Sequence, residues 1–397
     1  LVGDKHEQTT ATYGITGIQF MTASPFDEII DRRSTQAYKW LRHDESVLPL
    51  WVADADFKCP QPILDALQAR IEHGVLGYHK PDVVQPLYDA VIRWAKNQYQ
   101  WQIDAEWIIW IPGVVSAFNT ACKAFCKPGD KVLVQSPNYG PLLQAASLNG
   151  LENLTVGTLL ENERWVLDFD ELERNAADPL CKLFLLCNPM NPCGSVLTLG
   201  ELKRIEAICL KHNVLLCSDE IHCDLILDET SRHIPAGTLS EIGGQAITIM
   251  APSKTFNIAG LGASFVIIRD PVIRKRYHQA TFGIMPWINV MGQIATIAAF
   301  TECDDWLMAQ LEYLRENRSY LEKELNALEG FSYLPAQATF LAWVDASGLG
   351  VKDIQQYMLK RGIGPSAGSD FGEPRFTRIN FACPRAYLEL MVARLQE

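Results

Sequence analysis

Six short apolar runs constrain this chain more than any other feature of its sequence: WIIWIP (107–112), KVLVQSP (131–137), KLFLLCNP (182–189), NVLLCSDE (213–220), AITIM (246–250) and ASFVIIRD (263–270). They are too short to stand as independent helices, and they are apolar without alternation, so they read as strands buried on both faces. Between them lie stretches with apolar residues at helical spacing, such as QPILDALQARIE (61–72), PLYDAVIRWAKNQY (86–99) and TLGELKRIEAICLKH (198–212). Strands alternating with helices predict an α/β fold with a mostly parallel sheet, in which ligands gather beyond the carboxyl ends of the strands. A long helical stretch, 304–328, leads to a C-terminal part with shorter strands, TFLAWVD and FTRINFA. The expected organisation is an N-terminal arm with part of a small domain (1–60), a large domain (61–300) and a smaller α/β C-terminal domain (301–397).

Composition narrows the partners. With 397 residues and 48% hydrophobic content the chain can build two cores, and its formal charge of -12 argues against nucleic acid or an anionic membrane surface. There is no run of about 18 apolar residues, and residues 1–20 lack the segments of a signal peptide, so a soluble cytoplasmic protein is expected. The eleven cysteines are odd in number, irregularly spaced and partly inside apolar runs, which predicts buried free thiols. Scattered histidines and the lack of CxxC or HExxH leave no expected metal site.

The residues just after the strands therefore carry the functional question. After the first run, Gly113, Val114 and Val115 open a helical stretch whose first amides could hold a phosphate, although an ordinary strand-to-helix turn would look the same. After the second comes Tyr139, a ring that could stack on a planar ligand or simply pack in the core. After the third, NPMNPCG (188–194) forces a turn in which the Asn191 amide can donate to a ligand oxygen. After the fourth, Asp219 closes an apolar strand, where a carboxylate needs either a cation or solvent. After the fifth, Lys254 sits in APSKTFNIAG with no acid close by; a partly buried amine loses its proton more easily and becomes a nucleophile. Each signal alone is weak. A phosphate cradle, a ring, an amide, a carboxylate and a lysine in this order together meet the needs of pyridoxal 5'-phosphate: covalent attachment at the aldehyde, a carboxylate for the pyridine nitrogen, amides for the phosphate.

In this order of motifs, G-V-V, N-Y, N-P-M-N-P-C-G, S-D-E-I-H and S-K-T-F-N, the chain resembles the fold-type-I, aspartate aminotransferase-like (class I/II) enzymes that depend on pyridoxal phosphate. More closely it resembles their MalY/PatB branch of cystathionine beta-lyases, or C-S lyases. The likeness extends from FDEIIDRRSTQAYKWL (26–41) through LPLWVADADF (48–57) and GYHKP (77–81) to FTRINFACPR (376–385), and residues 1–20 lie outside it. The resemblance implies that Lys254 carries the cofactor aldehyde, Asp219 partners the pyridine nitrogen, Asn191 bonds the ring hydroxyl and Tyr139 stacks on the ring. It further implies that Val114 and Val115 give backbone amides to the phosphate with help from Ser253. Tyr78 would reach the phosphate of a neighbouring subunit in a homodimer with active sites at its interface, and Arg378 would bind the substrate carboxylate bidentately.

Three positions depart from the common aminotransferase pattern. Ala251 replaces a serine three residues before the lysine, Gly262 an arginine eight residues after it, and His222 a tyrosine near the aspartate. The last two are those of the MalY/PatB branch and favour elimination over transamination. His222 is then either a packed neighbour of the cofactor or a proton carrier, and Cys193 a small residue in a tight turn. The implied reaction is α,β-elimination on a sulfur-containing L-amino acid, with Lys254 as base and Tyr139 or Tyr78 as proton relay. An aminotransferase, or a cofactor-binding protein with a regulatory protein partner, are the alternatives.

Overall fold

The structure, a computed structural model, describes residues 24–397; residues 1–20 fall outside the described residues. Strand β1 (Leu48–Pro49) lies near the start. Strands β2 (Ile108–Ile111), β3 (Lys131–Ser136), β4 (Glu152–Glu161), β5 (Arg164–Leu167), β6 (Cys181–Cys187), β7 (Leu215–Asp219), β8 (Ile247–Met250) and β9 (Ser264–Ile267) form one sheet. Its order is β2-β9-β8-β7-β6-β3-β4-β5. The four pairings from β8 through β7, β6 and β3 to β4 are parallel, so the expected α/β fold with a mostly parallel sheet is what the chain adopts. The run at 263–270 is the exception: β9 is antiparallel to both β8 and β2. A hairpin of β4 and β5, unanticipated in the sequence because β4 is largely polar and half-exposed, extends the far edge.

The unbroken apolar character of the central strands follows from burial on both sides. In β6, Leu183 and Leu185 pack on one face with Phe118, Ala121 and Tyr277, while Phe184 and Leu186 pack on the other with Leu202 and Ile205. Helices Val114–Phe125 and Gly140–Leu148 cover the first face, and Phe169–Ala176 and Leu199–His212 the second. The last of these starts with a capping box between Thr198 and Glu201 and stops at Asn213, whose φ of 55° is left-handed. Its side-chain layer and that of the opposite face leave only the strand ends open.

Strands β10 (Ser332–Tyr333), β11 (Leu341–Asp345), β13 (Ser366–Ala367) and β14 (Phe376–Asn380) form a second, antiparallel sheet in the order β10-β11-β14-β13. Strand β12 (Ile363–Gly364) pairs instead with β1, in parallel, which draws the N-terminal segment onto the C-terminal part. The long helix Asp304–Asn326 lies against this part, with Asn317 Nδ2 donating to the carbonyls of Phe381 and Cys383 at 3.0 Å each. All eleven cysteines are free thiols, nine of them buried. Among the described residues no helix is long and apolar enough to cross a membrane.

Candidate active site

Because β2, β3, β6, β7 and β8 all point the same way, their carboxyl ends share one edge of the sheet, and the segments that follow them meet around a cavity of about 540 Å³. Val114, Val115, Tyr139, Asn191, Asp219, His222, Ser253, Lys254 and Arg378 all line it. Nine of the ten residues singled out in the sequence are thus brought together. Tyr78 is not: its ring is 98% exposed and meets Trp287 edge-on, away from this cavity.

Lys254 follows β8 in a turn and faces the cavity, so that it is half-buried by area while its amine lies inside the protein. The amine donates to the carbonyl of Ala53 at 2.6 Å. Burial lowers its pKa to about 8, helped by the Arg378 charge and opposed by Asp54 and Asp219. Asp219 ends β7 fully inside the protein, and burial raises its carboxyl to about 7, with Glu220 adding to the rise and the Ile221 amide and Lys254 lowering it. No cation forms an ion pair with it among the described residues, and the one hydrogen bond its side chain accepts comes from the Ile221 amide at 3.2 Å. His222 is buried and neutral, its pKa pulled down to about 3 by burial and by the charges of Lys254 and Arg378, and its Nδ1 has no partner.

Asn191 is held by a turn that only glycine can close. Gly194 has a φ of 72°, and a Cβ there would lie 2.4 Å from that of Ala336. The Oδ1 of Asn191 accepts from Arg378 Nη1 at 2.9 Å, which leaves the amide nitrogen to donate elsewhere. Arg378 is buried in β14 with its guanidinium 4.5 Å from the Phe371 ring. Of the five N–H groups of a guanidinium, three are engaged by Asn191 Oδ1, the Trp51 carbonyl at 2.6 Å and Ser366 Oγ at 3.2 Å; Nε is buried with no partner. At the other side of the cavity Gly113 precedes helix Val114–Phe125, no side chain caps that helix, and a Cβ at Gly113 would meet nothing within 4 Å. The first amides of a 12-residue helix therefore open on the cavity without an acceptor.

Several lining residues were not singled out in the sequence: Tyr38, Arg42 and Trp51 from the N-terminal segment, and Ser366 and Asp370 from the C-terminal part. Nothing about their local pattern marks them, except that WVADADF places two aspartates in an apolar stretch with neither helical nor strand spacing.

These groups fit pyridoxal phosphate: an uncapped helix terminus for a dianion, a carboxylate without a cation for a protonated ring nitrogen, a lysine near neutrality for an aldehyde, and an unpartnered guanidinium nitrogen for a carboxylate. On a sheet of this strand order they define a fold-type-I enzyme that depends on that cofactor. The chain belongs to the aminotransferase class I and II family, whose model matches residues 46–395. It is 36% identical over 384 residues to the cystathionine beta-lyase PatB of Bacillus subtilis (strain 168), covering 94% of this chain and 98% of that one. Among solved structures, that of OvoB superposes with a TM-score of 0.90 at 42% identity, over 94% of this chain and 98% of the other. Cystalysin from Treponema denticola, which contains a pyridoxal 5'-phosphate cofactor, superposes with a TM-score of 0.89 at 32% identity, over 94% and 98%. Both the family and its lyase branch agree with the resemblance read from the motifs.

Proposed function

We propose that the chain is a carbon-sulfur beta-lyase, which converts an S-substituted L-cysteine such as L-cystathionine, with one water, into a thiol, pyruvate and ammonia. The observation that carries this reading is the Lys254 amine, held near neutrality between Asp219 and Arg378 in a family member whose relatives are named as lyases. Lys254, Asp219, Asn191, Tyr139, Ser253, His222 and the amides of Val114 and Val115 would hold the cofactor. When bound, pyridoxal phosphate supplies an electron sink conjugated to the substrate nitrogen. The residues of the chain do the rest. The free N–H groups of Arg378 take the substrate carboxylate and so orient the Cα–H bond. Lys254, whose pKa of about 8 keeps a useful neutral fraction, removes the Cα proton. Burial raises the Tyr139 phenol, which keeps it protonated and able to deliver a proton to the departing sulfur; Tyr78 of a partner subunit is the other donor within this reading.

The same proposal includes a homodimer. Tyr78, Val83, Phe282, Ile284 and Trp287 are all more than half exposed, and Ile284 shares a separate surface pocket with Val115, which also lines the cavity, so a second copy covering them would bring Tyr78 to the neighbouring cavity. It includes a cytoplasmic location, which eleven free thiols support. It also includes a large domain at 61–300, an N-terminal arm with part of the small domain within 1–60, and the rest of the small domain at 301–397; the β1–β12 pairing, which joins 48–49 to 363–364, supports that link.

The test is to supply L-cystathionine without a 2-oxo acid and to follow pyruvate and free thiol together. Equal release of both supports the lyase. Consumption of an added 2-oxo acid with no thiol released assigns the chain to transamination instead.

A further inference from the structure

The mouth of the cavity is made by the N-terminal segment. Arg42 stands with its guanidinium carbon 4.3 Å from the centre of the Trp51 ring, and Tyr38 meets the same indole edge-on at 4.9 Å. Trp51 is fixed from both ends: its indole Nε1 donates to the Lys39 carbonyl at 3.0 Å, and its own carbonyl accepts from Ser366 Oγ at 2.9 Å and from Arg378 Nη2. One residue thus ties the arginine deep in the cavity to a second arginine at its entrance. Among the described residues Arg42 has no carboxylate within ion-pairing distance, whereas Arg32, ten residues earlier, engages both Asp54 and Asp56. A guanidinium stacked on indole spends its face on the ring and keeps its N–H edge for an acceptor. Asp370 also lines the cavity and acts on the Arg378 charge, and of the three cations in the lining, Arg42, Lys254 and Arg378, Arg42 is the exposed one.

We propose that Arg42 selects the leaving group: the favoured substrates are S-substituted L-cysteines whose sulfur carries a short chain ending in a carboxylate, received by the Arg42 edge while Arg378 takes the α-carboxylate. This rests on the lyase reading and names its substrate class. Stacking on Trp51 orients the cation at little entropic cost, because its anchor is held by both arginine-bearing segments.

The test compares S-(2-carboxyethyl)-L-cysteine with S-propyl-L-cysteine, which has the same length without the charge. The kcat/KM ratio of acid to propyl is expected to be about tenfold in the parent protein, as for one charge-assisted contact at a partly wet site. It should fall to near unity in Arg42→Met and keep part of its value in Arg42→Lys. A ratio within one protein is insensitive to loss of folded material. Calorimetry on the cofactor-loaded protein with L-2-aminopimelate and L-2-aminoheptanoate, which lack a leaving group, reads the same preference without turnover; the diacid should bind about tenfold tighter and lose that advantage in Arg42→Met. If the two ligands bind alike, or if Arg42→Met leaves their ratio as it was, the Arg42 assignment falls. Failure to release thiol from either substrate overturns the lyase reading alone, since the calorimetric ratio still decides Arg42.

Discussion

The N-terminal segment 32–57 and the carboxyl edge of the large sheet both bury charge beside Lys254, and they do so in opposite ways. In the segment the buried charges are partnered, and among the described residues exposed ones such as Arg42 stand without a counter-ion. Lys39 is fully buried, with its amine 2.7 Å from Asp56 Oδ2 and 3.2 Å from the Asp54 carbonyl; Arg32 bonds Asp54 Oδ2 at 2.8 Å and also Asp56, and Trp40 Nε1 donates to Asp56 Oδ1 at 2.9 Å. Asn257 and Asn380 complete the pattern by holding the backbone of 52–57 with their amides. Around the cavity at the sheet edge the polar groups are left waiting: among the described residues Asp219 has no cation, and neither His222 Nδ1 nor Nε of Arg378, which reaches in from β14, has a partner. Burial is common to both regions, so it is the count of partners that separates scaffold from site. The segment spends its charges on fixing the Ala53 carbonyl that receives Lys254, and the edge keeps its own for a ligand.

The contrast can be broken most forcefully at Lys254. Lys254→Ala is expected to lower pyruvate formation by about 10³-fold or more and to remove the visible absorbance of covalently held cofactor; a variant within tenfold of the parent would place the base elsewhere. On the scaffold side, Lys39→Met leaves Asp56 buried with one cation fewer, and urea unfolding should show a loss of about 3 kcal/mol. Pairing it with Asp56→Leu should recover part of that loss, whereas a cost near zero for Lys39→Met alone would erase the distinction between the two regions.

The pH dependence of cofactor capture sharpens the comparison further. With Lys254 lowered to about 8, the rate at which the cofactor-free protein takes up pyridoxal phosphate should climb about tenfold per pH unit below that value and level off above it. The same shift has a sign in stability. Between about 8 and the ordinary 10.5 the unfolded chain holds a proton that the native amine has lost, so in the cofactor-free protein Lys254 contributes stability that rises with pH across this window. The smallest effect is expected at Ser366, which bridges the regions through the Trp51 carbonyl and Arg378. Removing one such bond in Ser366→Ala should raise KM about threefold to tenfold, and a change confined to kcat would show that Ser366 does not act through Arg378.

The two regions also differ in how far their sequence could be read. The residues that follow the apolar strands β2, β3, β6, β7 and β8 could be found, because a strand buried on both faces is a continuous apolar run and its end is visible as a change of polarity; the polar, half-exposed β4 gave no such mark. WVADADF could not, since its aspartates serve Lys39 and Arg32 across turns that have no period, and Tyr38, Arg42 and Ser366 sit in ordinary polar surroundings. Nor could the direction of β9 be read, because an apolar strand carries no mark of its polarity relative to its neighbours.

The sequence by itself determined the α/β alternation, the five residues or turns closing the strands, and the cofactor that their order requires, all of which depend on contacts within a few residues or on the period of a strand. Tertiary structure alone decided their arrangement in space. Along the chain the order is Val114, Tyr139, Asn191, Asp219, Lys254, whereas across the sheet Lys254 follows β8 beside Asp219 at the end of the neighbouring β7, with Asn191 after β6 and Tyr139 after β3 beyond them. It also brought Trp51 to Arg378 across 327 positions of sequence. Strand order and such long closures are set by which apolar faces pack together, and a local pattern shows that a face must be buried without showing against what.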